Sequence, residues 1–301
     1  MEYFFKEDVP RNKPSDGGVF WQQQSFPFAS QSRVATVTDV VAHNDMLIVA
    51  HRAAAKLYLM EKHDGGYNII DSLQLKINGS YYHPDLMGIN DNLIYMTSYS
   101  NVCCVVEIDN KKLVYKTKFK IYNGNYFHGI CVTNNKIYFG AQNQQKGNTF
   151  LTVHKLGNEK KYKNFYTTHK NRIKAISVIN KDTVLLGCDS GGPNKNVYDS
   201  WIDLYRISGK KMKLLDSIKF GVTQIDGATI WKDYFFVTVH SGIDKCGYII
   251  VGKIENKSLK IIKQVKCHDF PHGIIVHNHK LIYTSYGRSS INIHSLDEFI
   301  G

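Results

Sequence analysis

Residues 272–283 read HGIIVHNHKLIY, which is a short apolar strand, a polar turn and a second apolar strand. Residues 128–139 (HGICVTNNKIYF) repeat this pattern, and residues 226–237 (DGATIWKDYFFV) repeat it again with aspartate in place of the histidine. Weaker copies begin at Thr38, Pro84 and Lys174. A pattern that recurs at a regular spacing indicates a repeat architecture, so the spacing of these copies carries most of the information about the fold.

The first residues of the six copies are the anchors, and they are Thr38, Pro84, His128, Lys174, Asp226 and His272. They are spaced by 46, 44, 46, 52 and 46 residues, which is the length that four short strands and their turns require. We therefore predict a single all-β domain over residues 1–301, a six-bladed β-propeller with four antiparallel strands in each blade. The longest step contains GGPNKN, residues 191–196, which we interpret as a loop insertion.

The last repeat is short, because the 29 residues after His272 suffice for only three strands. We predict that residues 1–37 form an N-terminal closure segment whose strand-like stretch, Val19–Phe26, supplies the missing outer strand. Closing the ring in this way removes an exposed sheet edge. The alternative is a seven-bladed ring in which one blade is divided between the two chain ends.

Composition narrows the functional classes. The net charge is +12, which favours acidic partners, but the lysines are scattered through predicted turns and form no basic run of the nucleic-acid-binding type. We therefore do not expect a nucleic-acid partner. The six cysteines include no CxxC pair, and no stretch is apolar enough for a signal peptide or a membrane span. We expect a cytoplasmic protein with no membrane partner.

The anchors and their neighbours predict the functional site, because the inner strands of a propeller line its channel and equivalent positions form a ring. This column is polar where an inner strand is normally apolar, and its members are Asp39, His83, Asp85, His128, Arg172, Lys174, Asp226 and His272. Ionisable groups that converge in a cavity are typical of functional sites. The alternative is structural: the imidazoles hydrogen-bond neighbouring blades, and the glycines that follow allow close packing.

The chemistry of each side chain in this polar column suggests its role in the site. His128, His272, Asp226 and Arg172 are the predicted catalytic residues, and Lys174, Asp39 and Asp85 are predicted to bind substrate. His83, His128 and His272 are candidate ligands of a divalent metal ion, Zn²⁺ or Ca²⁺/Mg²⁺, and the alternative is that no cofactor is present.

A second polar set lies where the second strands end, and it consists of His51, Gln142, Asp189, His240 and Tyr286. Three of these residues, His51, His240 and Tyr286, are further candidates for substrate binding. We expect this set to open toward the other face of the ring or toward a blade edge.

Two segments carry a family resemblance. FPHGI, residues 270–274, and YFHGI, residues 126–130, resemble the repeat of the NHL, SMP-30 and streptogramin-lyase group of propellers. This resemblance implies a six-bladed ring and, as in the similar peptidyl-amidoglycolate lyases, zinc held by inner-strand histidines. The sequence departs from the pattern at Thr38, Pro84 and Lys174, where histidine is absent.

Two hypotheses for the function remain open. The first is a lyase or hydrolase that acts at the channel mouth on a small polar or anionic substrate, including a carbohydrate or peptide-derived one. The second is a non-catalytic propeller that binds protein or glycan partners, since the fold alone does not decide function. Nucleic-acid binding is the least favoured possibility, and the oligomeric state is not predicted.

Overall fold

The computed structural model describes residues 1–4, 37–64, 66–98, 100–121, 126–143, 148–168, 172–189, 199–222, 224–240, 247–267 and 270–301. Six four-stranded antiparallel sheets account for most of this part of the chain. Each sheet is one blade, so the predicted six-bladed β-propeller is confirmed and the seven-bladed alternative is wrong. The predicted insertion at residues 191–196 lies outside the described residues.

The strands follow one another along the chain as simple meanders. The first half contains β1 (Glu2–Phe4), β2 (Val37–His43), β3 (Met46–His51), β4 (Lys56–His63), β5 (Gly66–Gln74), β6 (Lys76–Ile77), β7 (Ser80–Tyr81), β8 (Met87–Asn90), β9 (Leu93–Met96), β10 (Val102–Asp109), β11 (Lys112–Lys120), β12 (Tyr126–Thr133), β13 (Lys136–Asn143), β14 (Asn148–Lys155) and β15 (Asn158–Tyr166). The second half contains β16 (Arg172–Asn180), β17 (Thr183–Asp189), β18 (Asp199–Ser208), β19 (Lys211–Val222), β20 (Gln224–Trp231), β21 (Tyr234–His240), β22 (Gly247–Glu255), β23 (Ser258–Cys267), β24 (Pro271–His277), β25 (Lys280–Ser285), β26 (Ser290–Ser295) and the helix α1 (Asp297–Ile300).

The six blades form a closed ring through their first strands. Blade one is β2–β5, blade two β8–β11, blade three β12–β15, blade four β16–β19 and blade five β20–β23, and blade six contains β24–β26. Each inner strand contacts the inner strands of both neighbouring blades, and β2 completes the circuit by contacting β24 and β8. The short hairpin β6–β7 connects blade one to blade two.

The hydrophobic core lies between blades, because each sheet is covered on both faces by its neighbours. One cluster packs Ile48 and Leu57 of blade one against Ile94 and Val106 of blade two. All four of these side chains are fully buried. Aliphatic and aromatic residues therefore recur in every strand that is sandwiched in this way, and outer strands carry more exposed side chains.

Blade six is completed by the N-terminus, as predicted, but through different residues. β1 (Glu2–Phe4) pairs antiparallel with β26, with Tyr3 opposite Ile291. The hydroxyl of Tyr3 also accepts a hydrogen bond from the backbone N–H of Tyr67 in blade one, at 2.8 Å. The strand predicted for this position, Val19–Phe26, lies outside the described residues. A three-residue strand is too short for an alternating pattern to reveal it.

Two aspartates on outer strands connect neighbouring blades at the perimeter. Asp71 of β5 accepts a hydrogen bond from the backbone N–H of Leu113 in blade two, at 2.7 Å. Asp216 of β19 accepts the equivalent bond from Leu259 in blade five, also at 2.7 Å. Both aspartates follow a β-bulge in their strand. The same hydrogen bond between outer strands therefore occurs twice, in blades that lie three positions apart in the ring.

In the part of the chain that the structure describes, no helix is long and apolar enough to cross a membrane.

Candidate functional site

The anchors coincide with irregularities in the inner strands. In β12, β16 and β20 the register shifts between the residues that flank His128, Lys174 and Asp226, respectively. β2 and β24 have the same shift at Thr38 and His272. A bulge leaves one residue outside the regular pairing and redirects its side chain, and bulges are common beside functional sites. In five of the six blades, the repeat signal in the sequence therefore marks the position where the inner strand is distorted; in blade two the anchor, Pro84, precedes β8, whose pairing is regular.

In three blades, a threonine in or directly after the second strand hydrogen-bonds the anchor of the next blade. The hydroxyls of Thr97 and Thr284 donate to the backbone carbonyls of His128 and Thr38, both at 3.0 Å. Thr238 donates to the carbonyl of His272 in the same way, at 2.5 Å. These threonines are absent from the predicted site residues, although a small residue recurs at each equivalent position and could have revealed them. The complete column is Ala50, Thr97, Gly140, Gly187, Thr238 and Thr284.

The glycines after the anchors are required by close approach of the blades. A Cβ at Gly273 would overlap the carboxylate of Asp39 in blade one, and one at Gly227 would overlap the carbonyl of His272. These contacts support the structural explanation for the His-Gly-Ile motif, in which glycine lets neighbouring inner strands pack closely.

Eight of the eleven predicted site residues gather, together with Asp189, into one buried group, which we call the mouth cluster. Its members are Asp39, Asp85, His128, Arg172, Lys174, Asp189, Asp226, His240 and His272. None of these nine residues is more than 8% exposed. Burying this many ionisable groups is costly unless they pair, so their partners determine what the cluster can do.

One half of the mouth cluster is centred on Asp226. Its carboxylate forms an ion pair with Lys174 of blade four, and its other oxygen lies 2.7 Å from Nε2 of His240. His272 Nε2 lies 3.8 Å from the same carboxylate. Asp189 extends the network, with Nε of Arg172 at 2.8 Å and Nζ of Lys174 at 3.8 Å.

The other half is centred on Asp85. Nδ1 of His128 lies 3.4 Å from its carboxylate, and a guanidinium nitrogen of Arg52 lies 3.7 Å away. His83 lies outside this group, because its Nδ1 is 2.8 Å from the backbone carbonyl of Arg52. His272 interacts electrostatically with both Asp85 and Asp226, which links the two halves.

The carboxyl of Asp39 connects blades one and two by hydrogen bonds to the backbone. One carboxylate oxygen accepts a hydrogen bond from the backbone N–H of Met87 at 2.6 Å, and the other accepts from Val40 at 2.9 Å. The carboxyl therefore provides a hydrogen-bond acceptor for the backbone N–H of Met87, the first residue of β8.

The prediction that the second set faces another surface is wrong for Asp189 and His240. Asp189 pairs with Arg172, and His240 pairs with Asp226, so both belong to the mouth cluster. The reason is antiparallel pairing, which places the end of each second strand beside the start of the first.

The other members of the second set have different surroundings. His51 is fully buried, and its Nδ1 accepts a hydrogen bond from Ala54 in the turn that follows, at 3.1 Å. The ring of Tyr286 stacks on that of His272, with 6.0 Å between centroids. The side chain of Gln142 lies outside the described residues.

Burial controls the protonation of the cluster. It raises the pKa of Asp39 to about 8, against the opposing effect of two N–H donors. It lowers the pKa of His128 to about 4, despite the nearby Asp85. Burial would raise the pKa of Asp85, but His128, Arg52 and His272 outweigh it and lower this pKa to about 2. Near neutral pH, Asp39 is therefore mostly protonated, His128 is neutral and Asp85 is charged.

The pKa of Asp226 is well below its usual range, because Lys174, His272 and His240 together overcome the effect of burial. Burial lowers the pKa of His272, and the nearby Asp226 and Asp85 oppose this effect. The carboxylate of Asp226 thus stays ionised, and it is matched by the cation of Lys174.

The donor set does not fit the predicted metal. Across the described ranges, no group of three His, Cys, Asp or Glu side chains is arranged to hold a metal ion. Asp226, the carboxylate nearest His272, is already bound by Lys174, and an ammonium cation competes for the position that a metal would take. His83 is directed toward a backbone carbonyl. We therefore derive no step that involves a metal.

Comparisons with known proteins identify the fold class, a β-propeller. No protein-family model and no curated protein matches the sequence, so the resemblance to the NHL, SMP-30 and streptogramin-lyase group stays a prediction. A chain in the crystal structure of the mitotic checkpoint complex is similar, with 10% identity, a TM-score of 0.56, and coverage of 87% of this chain and 77% of that one. Hydrazine synthase from Kuenenia stuttgartiensis is also similar, with 13% identity, a TM-score of 0.60, and coverage of 88% and 78%. At these identities the likeness concerns the fold alone.

Proposed function

We propose that this chain is a non-catalytic binding module, a rigid propeller that presents its surface to a protein partner. The observation that carries the proposal is the pairing within the mouth cluster. Lys174, Asp226 and His240 are buried and bound to one another. Because these side chains pair with one another and connect blades four and five, they are not available to a substrate.

The requirements of catalysis argue in the same direction. A general base must lie within hydrogen-bond reach of the proton that it removes. His128 is only 2% exposed and its Nδ1 faces Asp85, while the hydrogen bonds of the Asp39 carboxyl to other described residues come from the backbone N–H groups of Met87 and Val40. A role in holding blades together accounts for these contacts without a substrate.

The structural neighbours are compatible with either function. One belongs to an assembly named the mitotic checkpoint complex, and the other to an enzyme named hydrazine synthase. The same fold therefore occurs in a protein assembly and in a synthase, so the fold does not distinguish the two functions, and the pairing within the mouth cluster is what favours binding.

The test compares the wild-type protein with His128→Gln. Both would be assayed for turnover against panels of esters, lactones and small acidic metabolites. In parallel, partners cross-linked to the protein would be identified by mass spectrometry, purified and titrated by calorimetry. We expect no turnover and a stoichiometric complex with at least one purified partner. Turnover that disappears in His128→Gln, with the variant still folded, would overturn the proposal.

A lyase or hydrolase is the second candidate, and one observation favours it. Nδ1 of His272 is buried and has no hydrogen-bond partner among the described residues, although the opposite edge of the ring faces Asp226. A small polar substrate that reached the channel mouth could donate an O–H or N–H hydrogen bond to this nitrogen, with Tyr286 stacked on the same ring. Loss of turnover in His272→Asn would support this candidate over the first.

A further inference from the structure

Two grooves lie on the face of the ring opposite the mouth cluster. They are the hairpin grooves, and both border the β16–β17 turn of blade four at Lys181 and Asp182. The first groove separates blades three and four and has a volume of about 560 Å³. The second separates blades four and five and has a volume of about 570 Å³. Because they share Lys181 and Asp182, they form one continuous surface.

The charge of this surface is strongly one-sided. Its basic residues come from three different blades, and they are Lys136, Lys155, Lys161, Lys163, Lys181, Arg206 and Lys257. Against these seven cations the grooves contain one carboxylate, that of Asp182. All of the seven except the half-buried Lys136 are exposed.

These cations differ from other surface lysines of the protein. Lys111 and Lys116 each lie 2.7 Å from a glutamate, Glu61 and Glu107 respectively. In contrast, none of the seven groove cations has a carboxylate within ion-pair distance in the described portion of the chain. Unpaired like charges repel one another, so an acidic ligand would relieve this repulsion.

The floor of the first groove is apolar. It includes Tyr138 and Phe165, which are nearly buried, together with the partly exposed Val153 and Ile207. Leu215 has the same role in the second groove. A ligand that matches both features carries carboxylates for the rim and apolar side chains for the floor.

We propose that the hairpin grooves bind an acidic, extended peptide segment of a partner protein, with apolar residues between its carboxylates. This inference rests on the proposed binding function and assigns it a surface. A single-stranded nucleic acid fits less well, because it needs exposed aromatic rings on which bases stack. Tyr138 and Phe165 are buried, and Tyr162 already stacks on His154 with 5.4 Å between centroids.

The experiment measures binding of a short fluorescent peptide that alternates Glu with Leu and Phe, by fluorescence anisotropy. Lys161→Glu/Lys163→Glu reverses two groove charges. Lys260→Glu/Lys266→Glu is the matched control, because it makes the same charge change on β23, outside both grooves. We expect the groove variant to weaken binding roughly tenfold or more, and the control to weaken it by less than about threefold. Binding should also decrease with added salt, because exposed charges are screened.

Three results would overturn the inference: no binding of the peptide, equal loss in the two double variants, or tighter binding of a single-stranded oligonucleotide of matched charge. A peptide in which Gln replaces Glu, and another in which Ser replaces Leu and Phe, should each bind more weakly than the parent. If the peptide fails while cross-links place a partner elsewhere on the ring, the inference fails and the binding function stands. Turnover that depends on His128 would instead refute the binding function.

Discussion

Lys174 of blade four forms a buried ion pair with Asp226 of blade five. The carboxylate of Asp226 also lies 2.7 Å from His240, on the second strand of its own blade. The two inner strands are therefore joined at the channel mouth by a charge pair to which each blade contributes one partner. An intact buried ion pair contributes little to the free energy of unfolding. Removing one partner is strongly destabilising, because the remaining charge is buried without compensation.

The first prediction concerns this pair. Asp226→Asn should lower the free energy of unfolding by about 3–5 kcal/mol, because it leaves the buried Lys174 ammonium with only the more distant Asp189. Urea denaturation followed by tryptophan fluorescence would measure the loss. The double variant Lys174→Met/Asp226→Leu should recover most of it, because it removes both charges. A loss below about 1 kcal/mol in Asp226→Asn would show that the pair does not hold the blades together.

The second prediction concerns the pH dependence of stability. The pKa of Asp39 is about 8 in the folded protein, whereas an aspartate in an unfolded chain titrates near its ordinary value of 3.8. Between these values the folded state retains a proton that the unfolded state has lost. The stabilisation from Asp39 is therefore complete below pH ~4 and is lost as the pH rises toward ~8.

The variant Asp39→Asn has no titratable carboxyl at this position, so it lacks this contribution to the pH dependence of stability. The stability of the wild type relative to the variant should decrease by at least about 1.4 kcal/mol between pH 4 and pH 8, the equivalent of one pKa unit. Chemical denaturation at several pH values would measure it, with the exposed Asp64→Asn as control. Parallel pH profiles for the wild type and Asp39→Asn would contradict the prediction.

The fold could be predicted from the sequence because its signal recurs in every blade. Five of the six anchors lie at an inner-strand distortion, and residues such as His128 and Asp226 stand out as polar positions at a nearly constant spacing. The closing strand could not be predicted. Glu2–Phe4 has no pattern of its own and becomes a strand only by pairing with β26.

The site was predictable only in part. The anchors do come together, but sequence patterns did not reveal that His240 and Asp189 join them, because pairing between strands decides this. The hairpin grooves were missed for a related reason. Their cations run from Lys136 to Lys257 and come from three blades, so no basic run exists in the sequence although a basic surface exists in the structure.

The third prediction concerns the perimeter. Asp216→Ala should lower the free energy of unfolding by about 1–2 kcal/mol, because the backbone N–H of Leu259 loses a charge-assisted hydrogen bond. Hydrogen exchange should show faster exchange at Leu259. Asp71→Ala should have the same effect at Leu113, which has the equivalent bond. The exposed Asp233→Ala, whose partner Lys253 is 3.7 Å away, is the control and should cost less than about 0.5 kcal/mol. Unchanged exchange at Leu259 would contradict the prediction.

The fourth prediction concerns the closing strand β1. Tyr3→Phe removes the hydrogen bond to the N–H of Tyr67 and should cost about 1 kcal/mol. Deletion of residues 1–4 should cost more, because it also uncovers the edge of β26, where Glu2, Tyr3 and Phe4 now pair. An uncovered edge strand is a template for pairing with another chain, so the truncated protein should self-associate. Light scattering over a range of concentrations would detect this. Tyr3→Phe retains β1, so this variant is the control and should keep the assembly state of the wild type. If the truncated protein also keeps that state, closure by β1 does not prevent self-association.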